Sequence, residues 1–189
     1  MIKANIEVPV MEIEFQDDEY WINRISKDTS AFEVIYDRYL PKVSRYIYRK
    51  VGDQMATEDL TSLVFFHALE GIMKGRYSSR YKFSAWIFSI ARTKIADYFR
   101  ERKTISLEEL NEELATANHR VRTTKINSNL DKCFSELSKF EQELLVLRFT
   151  AELDFSTIAS ILHKNTAAVK MATYRSLRNL RIKMEGLNE

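Results

Sequence analysis

Residues that interrupt helices are rare in this chain. Its 189 residues include only four Gly and two Pro, and few segments alternate apolar and polar residues as half-buried strands do. Along most of the sequence, apolar residues recur at intervals of three and four. The pattern therefore predicts an almost entirely helical chain of the all-α class.

The predicted helices fall into two small domains. The stretch TISLEELNEELATANHRVRTTK, residues 104–125, has no aromatic residue and changes from acidic to basic along its length. We interpret it as a flexible linker that could include a short helix over 107–114. The predicted organisation is an acidic tail over 1–17, a helical bundle over 18–103, the linker over 104–126 and a four-helix, helix-turn-helix domain over 127–189.

The apolar spacing of the first domain supports four helices. A lead helix is expected near 18–25. Three longer ones should follow over 31–51, which Pro41 is expected to bend, and over 57–74 and 84–102.

Composition narrows the protein class. Cys133 is the only cysteine, so one chain can form neither a disulfide framework nor a cysteine zinc site, which favours a reducing cytosol. No apolar run is long enough to span a membrane, and the N-terminus lacks a signal-peptide pattern. We expect a soluble cytoplasmic protein. Its net charge of +2 conceals an acidic start and a basic end, an asymmetry typical of polyanion binders.

The segment 154–184 predicts a helix-turn-helix. Asp154 can cap a short helix and Asn165 a longer one, whose apolar stripe includes Val169 and Leu180. Such a second helix fits the major groove, where Lys and Arg reach guanine edges. A solvated basic face is the alternative interpretation of this stretch. The side chains off the stripe, which we predict to contact upstream DNA, are Lys170, Met171, Tyr174, Arg175 and Arg178.

A second candidate DNA site is the polar loop GRYSSRYKF, residues 75–83. Its Tyr77, Tyr81 and Phe83 alternate with Arg76, Arg80 and Lys82. Aromatic rings can stack on unpaired bases while the neighbouring cations meet phosphates. The alternative is that these rings only fill the core of the bundle.

The sequence gives little support for a catalytic site or a metal site. Asp17, Asp18 and Glu19 are consecutive, so on a helix they point in different directions, and no His lies at a ligand spacing. The three His residues share no Ser, Cys or Glu constellation suited to acid-base or nucleophilic work. We predict that the protein is not an enzyme and needs neither metal nor cofactor.

Several segments together resemble the bacterial extracytoplasmic-function sigma factors of RNA polymerase. They are AFEVIYDRYLPKVSRYIYRKVGD, TEDLTSLVFFHAL, FSAWIFSIARTKIADYFRERK, LSKFEQELLVLRFTAELDFSTIASIL and the helix-turn-helix segment, in this order. The match covers about four fifths of the chain, and agreement in order and spacing makes it specific.

The resemblance implies that the first domain docks on core RNA polymerase and opens the minus-ten element of promoter DNA. The second domain would read the minus-thirty-five element, and an anti-sigma factor is a candidate third partner. By resemblance the docking residues are Asp59, Ser62 and Leu63, and the minus-ten residues are Arg76, Tyr77, Tyr81, Lys82 and Arg92. Asp59 could instead simply favour the dipole of its helix.

Five positions depart from the family pattern. Ser62 and Leu63 replace a Gln-Glu pair and Thr93 replaces Asn, so docking energetics and the preferred melted base are expected to differ from those of relatives. His163 occupies the position of the Gly that is common in the turn. Ala172 occupies a position where an Arg or a similar residue is common in the second helix of the helix-turn-helix.

The alternative function is a helix-turn-helix transcription regulator that binds duplex DNA without polymerase. Such a protein needs neither a docking helix nor a melting loop. Binding of core polymerase therefore distinguishes the two functions.

Overall fold

The computed structural model describes residues 17–109 and 128–186, and within these ranges it contains helices and turns but no strand. This confirms the all-α prediction. The N-terminal helices are α1 (Asp18–Ile25), α2 (Phe32–Val51), α3 (Gln54–Met73) and α4 (Phe83–Glu109), with a 3-10 turn at Thr29–Ala31. The C-terminal helices are α5 (Ser128–Ser135), α6 (Lys139–Leu145), α7 (Phe155–Leu162) and α8 (Thr166–Glu185), with a π-helical turn at Val146–Thr150.

The N-terminal helices lie close to their predicted positions. The range of α1 agrees with the prediction, and α2 continues through Pro41 to end at Gly52, whose φ of 71° suits a residue without a side chain. Helix α3 begins three residues before the predicted Thr57. The reason is that the Asp53 side chain accepts a hydrogen bond from the Ala56 amide at 2.8 Å, which makes Asp53 the N-cap.

Helix α4 is longer than predicted. It continues through Glu109, because neither Gly nor Pro interrupts the sequence from Phe83 to that point. The predicted end of this helix at 102 is therefore early, and residues 104–109, the first of the predicted linker, are helical. The rest of the predicted linker to 126, and the acidic tail before residue 17, lie outside the described residues.

Side-chain caps define the C-terminal helices. Ser138 and Glu141 form the reciprocal capping box at the start of α6. Asp154 and Asn165 cap α7 and α8, as the sequence predicts. His163, which stands in place of the common turn Gly, ends α7 in the left-handed region with φ of 51°. The two helices thus form the predicted helix-turn-helix.

The two sets of helices pack on each other around a continuous buried cluster. Helix α2 contacts the π-helical turn, and α4 contacts α7. The cluster joins Ile47 and Phe88 of the N-terminal helices to Leu147 and Ile158 of the C-terminal helices. Cys133 is buried as well. In this structure the predicted domains are therefore in direct contact.

A close approach between α3 and α4 fixes the start of α4. A side-chain carbon on Gly71 would lie 2.7 Å from the Trp86 ring, so only Gly fits there without displacing the indole. Trp86 also contacts the rings of Tyr77 and Phe83, at 5.1 and 5.7 Å between centroids. This aromatic group anchors the loop before α4 to the core.

We expect Phe88→Ala to destabilise the fold by about 3–5 kcal/mol, because it would leave a cavity beside the Tyr46 ring in a fully buried region. Urea unfolding followed by circular dichroism measures this change. Met55→Ala is the control, since Met55 is 76% exposed and its loss should alter the free energy of unfolding by less than about 0.5 kcal/mol. Equal effects of the two variants would contradict the described core.

Candidate nucleic-acid interface

Helix α8 presents a continuous polar and basic face. Val169, Thr173 and Ser176 face the core, and the Thr173 hydroxyl donates to the Val169 carbonyl oxygen at 2.9 Å, so its polar atom is satisfied inside the helix. The structure leaves exposed every side chain predicted to meet upstream DNA, namely Lys170, Met171, Tyr174, Arg175 and Arg178. Five side chains on one open helix face have the geometry that reading a groove requires.

The cations at the C-terminal end of α8 differ in that they form ion pairs. Lys183 forms an ion pair with Glu136 at 2.9 Å, and the same contact raises the pKa of Lys183. Arg181 pairs with Glu185 at 2.7 Å. These two cations already have carboxylate partners within the C-terminal helices, which distinguishes them from the exposed cations nearer the start of α8.

The loop before α4 contains one ring that is mostly exposed. Tyr81 is 64% exposed. Tyr77 is half-buried against the core and donates its hydroxyl to the Tyr81 carbonyl oxygen at 3.0 Å. Phe83 is only 1% exposed. Of the three rings, Phe83 therefore fills the core, Tyr77 holds the loop, and Tyr81 is the ring most accessible for stacking.

Arg76 is held beside this loop by Glu70. The Glu70 carboxylate accepts from Lys74 at 2.6 Å and from Arg76 at 2.8 Å. These hydrogen bonds, that of Lys74 first, lower the pKa of Glu70 to about 2. Arg76 is thus positioned at the loop while its side chain stays largely exposed.

Lys82 and Arg92, the remaining predicted minus-ten residues, contact the C-terminal helices. Lys82 donates to Asp154 at 3.0 Å and to the Ser156 hydroxyl at 3.2 Å. Arg92 donates to the Ile161 carbonyl oxygen at 2.9 Å and lies 3.3 Å from Glu143. The predicted minus-ten set is therefore divided between an open loop and an internal contact.

The predicted docking residues form one exposed face of α3. Asp59, Ser62 and Leu63 are exposed, and they surround a shallow depression together with Phe66, which is 62% exposed. Sequence reasoning missed Phe66 because an apolar residue at helical spacing is normally assigned to the core. Its position seven residues after Asp59 could have placed it on this face. An exposed ring on a helix face is typical of an interaction surface.

The described residues hold no group of three or more His, Cys, Asp or Glu side chains that could bind a metal ion. Asp18, from the acidic cluster, instead pairs with Arg38 at 2.6 Å and accepts from the Tyr39 hydroxyl. Among the described helices, none is both long and apolar enough to cross a membrane.

Comparison with known proteins finds similarity to one family. Residues 35–105 match the family described as Sigma-70 region 2. The chain is 35% identical over 160 residues to the ECF RNA polymerase sigma factor BldN of Streptomyces coelicolor, an alignment that covers 81% of this chain and 60% of BldN. It is 28% identical to the ECF RNA polymerase sigma factor SigX of Bacillus subtilis, over 84% of this chain and 86% of SigX. The chain is thus similar to ECF sigma factors over about four fifths of its length.

The fold of the chain agrees with a solved structure of the sigma factor RpoE in complex with the anti-sigma factor NepR from Bartonella quintana. The TM-score is 0.61 at 16% identity, over 82% of this chain and 96% of that one. This likeness concerns the fold. The Sigma-70 region 2 match extends from within α2 to within α4 and so includes the α3 face and the loop before α4.

We expect the Glu70 carboxyl to titrate near pH 2, and its midpoint to rise toward 4.5 in Lys74→Met and, by a smaller step, in Arg76→Met. The hydrogen bonds that Glu70 accepts should be fully present above its ordinary pKa and lost as the pH falls through about 2. Carbon-detected NMR titration of the side-chain carboxyl measures both midpoints. An unchanged midpoint in both variants would contradict the described contacts.

Proposed function

We propose that the protein is an alternative sigma factor that binds core RNA polymerase and directs initiation at promoters of particular sequence. The observation that carries this proposal is the coexistence of two exposed faces in one chain. The α3 face of Asp59, Ser62, Leu63 and Phe66 suits a protein partner, whereas the α8 face suits duplex DNA. A regulator that binds DNA alone needs only the second.

The proposed division of labour follows the two sets of helices. The α3 face docks on polymerase. The loop before α4 supplies Arg76, Tyr77 and Tyr81 beside the melted minus-ten strand, with Tyr81 as the stacking ring and Tyr77 as its support. The exposed residues of α8 contact the minus-thirty-five element. Phosphodiester chemistry belongs to the polymerase, so the chain itself is not an enzyme.

The proposed partners are core RNA polymerase and promoter DNA, and the proposed location is the cytoplasm, where both are found. An anti-sigma factor is a further proposed partner. It is supported by the structural neighbour RpoE, which was solved with one.

The direct test is co-elution of the purified chain with core RNA polymerase, followed by transcription from a template library randomised over the promoter. A sigma factor gives a complex and enriches transcribed templates for particular sequences. Duplex binding without any core complex would favour the helix-turn-helix regulator.

We expect Asp59→Arg to weaken core binding roughly tenfold or more, since it reverses a charge at the centre of the α3 face. Fluorescence anisotropy of the labelled chain titrated with core polymerase measures the Kd. The matched control is Asp37→Arg, because Asp37 is also an exposed Asp at the sixth position of its helix. If both variants bind core as the parent does, the α3 face is not the docking site.

We expect Arg175→Ala to relax the sequence preference at one or two base pairs of the upstream element, with a loss of about 1–3 kcal/mol for the preferred sequence. Arg181→Ala is the control, since Arg181 pairs with Glu185 and its loss should change no base preference. Binding of both variants to a randomised upstream element measures their base preference and their affinity for the preferred sequence. A uniform loss for Arg175→Ala over all sequences would assign Arg175 to phosphate contact.

A further inference from the structure

The open face of α8 contains an apolar stripe. Two large side chains on the first half of the helix, Met171 and Tyr174, are 65% and 53% exposed. They are three residues apart and therefore neighbours on the helix surface. Ala167, four residues before Met171, is exposed on the same side. At about 3.6 residues per turn, the stripe lies opposite Val169 and Ser176, which are buried. Packing of the core therefore does not account for it.

A cation borders the stripe on each side. Lys170 directly precedes Met171 and Arg175 directly follows Tyr174, so the turn of the helix, about 100° per residue, places the two cations on opposite sides of the apolar pair. Both cations are exposed. In a groove of duplex DNA, the two phosphate backbones form the edges and the base pairs form the floor. The stripe thus has the position of a side-chain pair that meets base edges while the cations on either side meet more polar groups.

The chemistry of the stripe favours one base. In the major groove, thymine presents a C5-methyl group, against which apolar side chains pack. The Met171 thioether is flexible and polarizable, and the Tyr174 ring has a flat apolar surface. Neither side chain provides the cation that pairs with guanine or the amide that pairs with adenine. The pair is therefore suited to a methyl group.

Phe155, the first residue of α7, contacts the Tyr174 ring. The two ring centroids are 6.1 Å apart at an interplanar angle of 56°. The Phe155 ring is partly buried against the core, and the Arg148 guanidinium carbon lies 4.8 Å from its centroid. Arg148 is itself fixed, because it donates to the Leu153 carbonyl oxygen at 2.8 Å. Contacts outside α8 thus hold Phe155, and Phe155 restricts the Tyr174 ring before DNA binds, which lowers the entropy cost of binding.

We propose that Met171 and Tyr174 recognise the C5-methyl group of thymine in the upstream element, and that Phe155 is a positioning residue that holds the Tyr174 ring for this contact. The proposal rests on the proposed function, in which α8 lies in the major groove. It requires the preferred upstream element to contain an A·T pair, and it requires the methyl group of that thymine to contribute to affinity.

The first test removes the methyl group from the DNA. The complex of the chain with core polymerase selects its upstream element from the randomised library, and each thymine of that element is then replaced by uracil, one at a time. Uracil keeps the hydrogen-bonding groups of thymine and lacks only the methyl group. At the contacted thymine we expect the uracil duplex to bind about fourfold more weakly, the scale of one apolar carbon returned to water.

The second test removes the apolar pair from the protein. Met171→Ala and Tyr174→Ala should each lower the ratio of thymine to uracil affinity at that position, and the double variant should bind both duplexes equally. Arg175→Ala is the matched control, since Arg175 is exposed beside Tyr174 and its loss should weaken both duplexes while leaving the ratio unchanged. Each ratio compares two duplexes with one protein sample, so a partial loss of folding cancels.

The positioning role of Phe155 has its own test. Phe155→Leu keeps an apolar side chain but loses the ring that contacts Tyr174, and it should lower the ratio of thymine to uracil affinity. Phe155→Tyr keeps the ring and should keep the ratio. A purely structural role would weaken both duplexes equally in Phe155→Leu, and an unchanged ratio in that variant would refute the positioning role.

Two results would overturn methyl recognition by α8. One is a selected upstream element that contains no preferred A·T pair, and the other is a uracil series in which no replacement changes the affinity. The proposed sigma function would stand in both cases, because core binding and sequence selection would be unaffected. If the chain binds no core polymerase, the sigma function is wrong, and the uracil series is then measured with the free chain on duplex DNA selected by that chain. A weaker uracil duplex there supports methyl recognition, whereas equal binding or no binding overturns it.

Discussion

Helix α4 is the element on which the rest of the arrangement depends. Its buried residues, including Ile87, Phe88 and Ala91, fill the core beside α2 and α3. A different edge of the same helix, with Ser84 and Arg92, meets the C-terminal helices. One helix therefore supports the proposed melting loop, carries Arg92 as a proposed DNA contact and packs against α7.

The distribution of charge suits both the internal contact and the proposed binding of DNA. The net charge is only +2, but several carboxylates of the C-terminal helices face inward. Asp131, Glu143, Glu152 and Asp154 face cations of the N-terminal helices, while the outer face of α8 keeps its exposed Lys170 and Arg175. Positive potential is thereby concentrated on the outer face of α8, the face proposed to meet DNA.

Much of the local structure could be predicted from the sequence, because helices depend on residues close to one another. Apolar spacing located α1 and α2, and Asp154 and Asn165 marked the starts of α7 and α8. The start of α3 was predicted late because Asp53 was not recognised as its cap. The end of α4 was predicted early because a stretch without aromatic residues was interpreted as a linker.

The long-range contacts could not be predicted in the same way. Nothing in the spacing of Lys82 or Arg92 distinguishes a side chain that meets phosphate from one that meets a distant carboxylate, which for Lys82 lies 72 residues further along the chain. The rings before α4 show the same difficulty, since Tyr81 and Phe83 have similar sequence surroundings and opposite burial. The packing of α3, α4 and α7 determines which of these side chains are buried or paired and which are exposed.

The most direct test of the account is the distance between the two sets of helices in the free chain. Spin labels at Asn23→Cys on α1 and Ile182→Cys on α8, both exposed positions, in a Cys133→Ser background would report it by pulsed electron paramagnetic resonance. The account predicts one narrow distribution of distances, because the two sets of helices share one buried core. A broad distribution, or several separate distances, would contradict it.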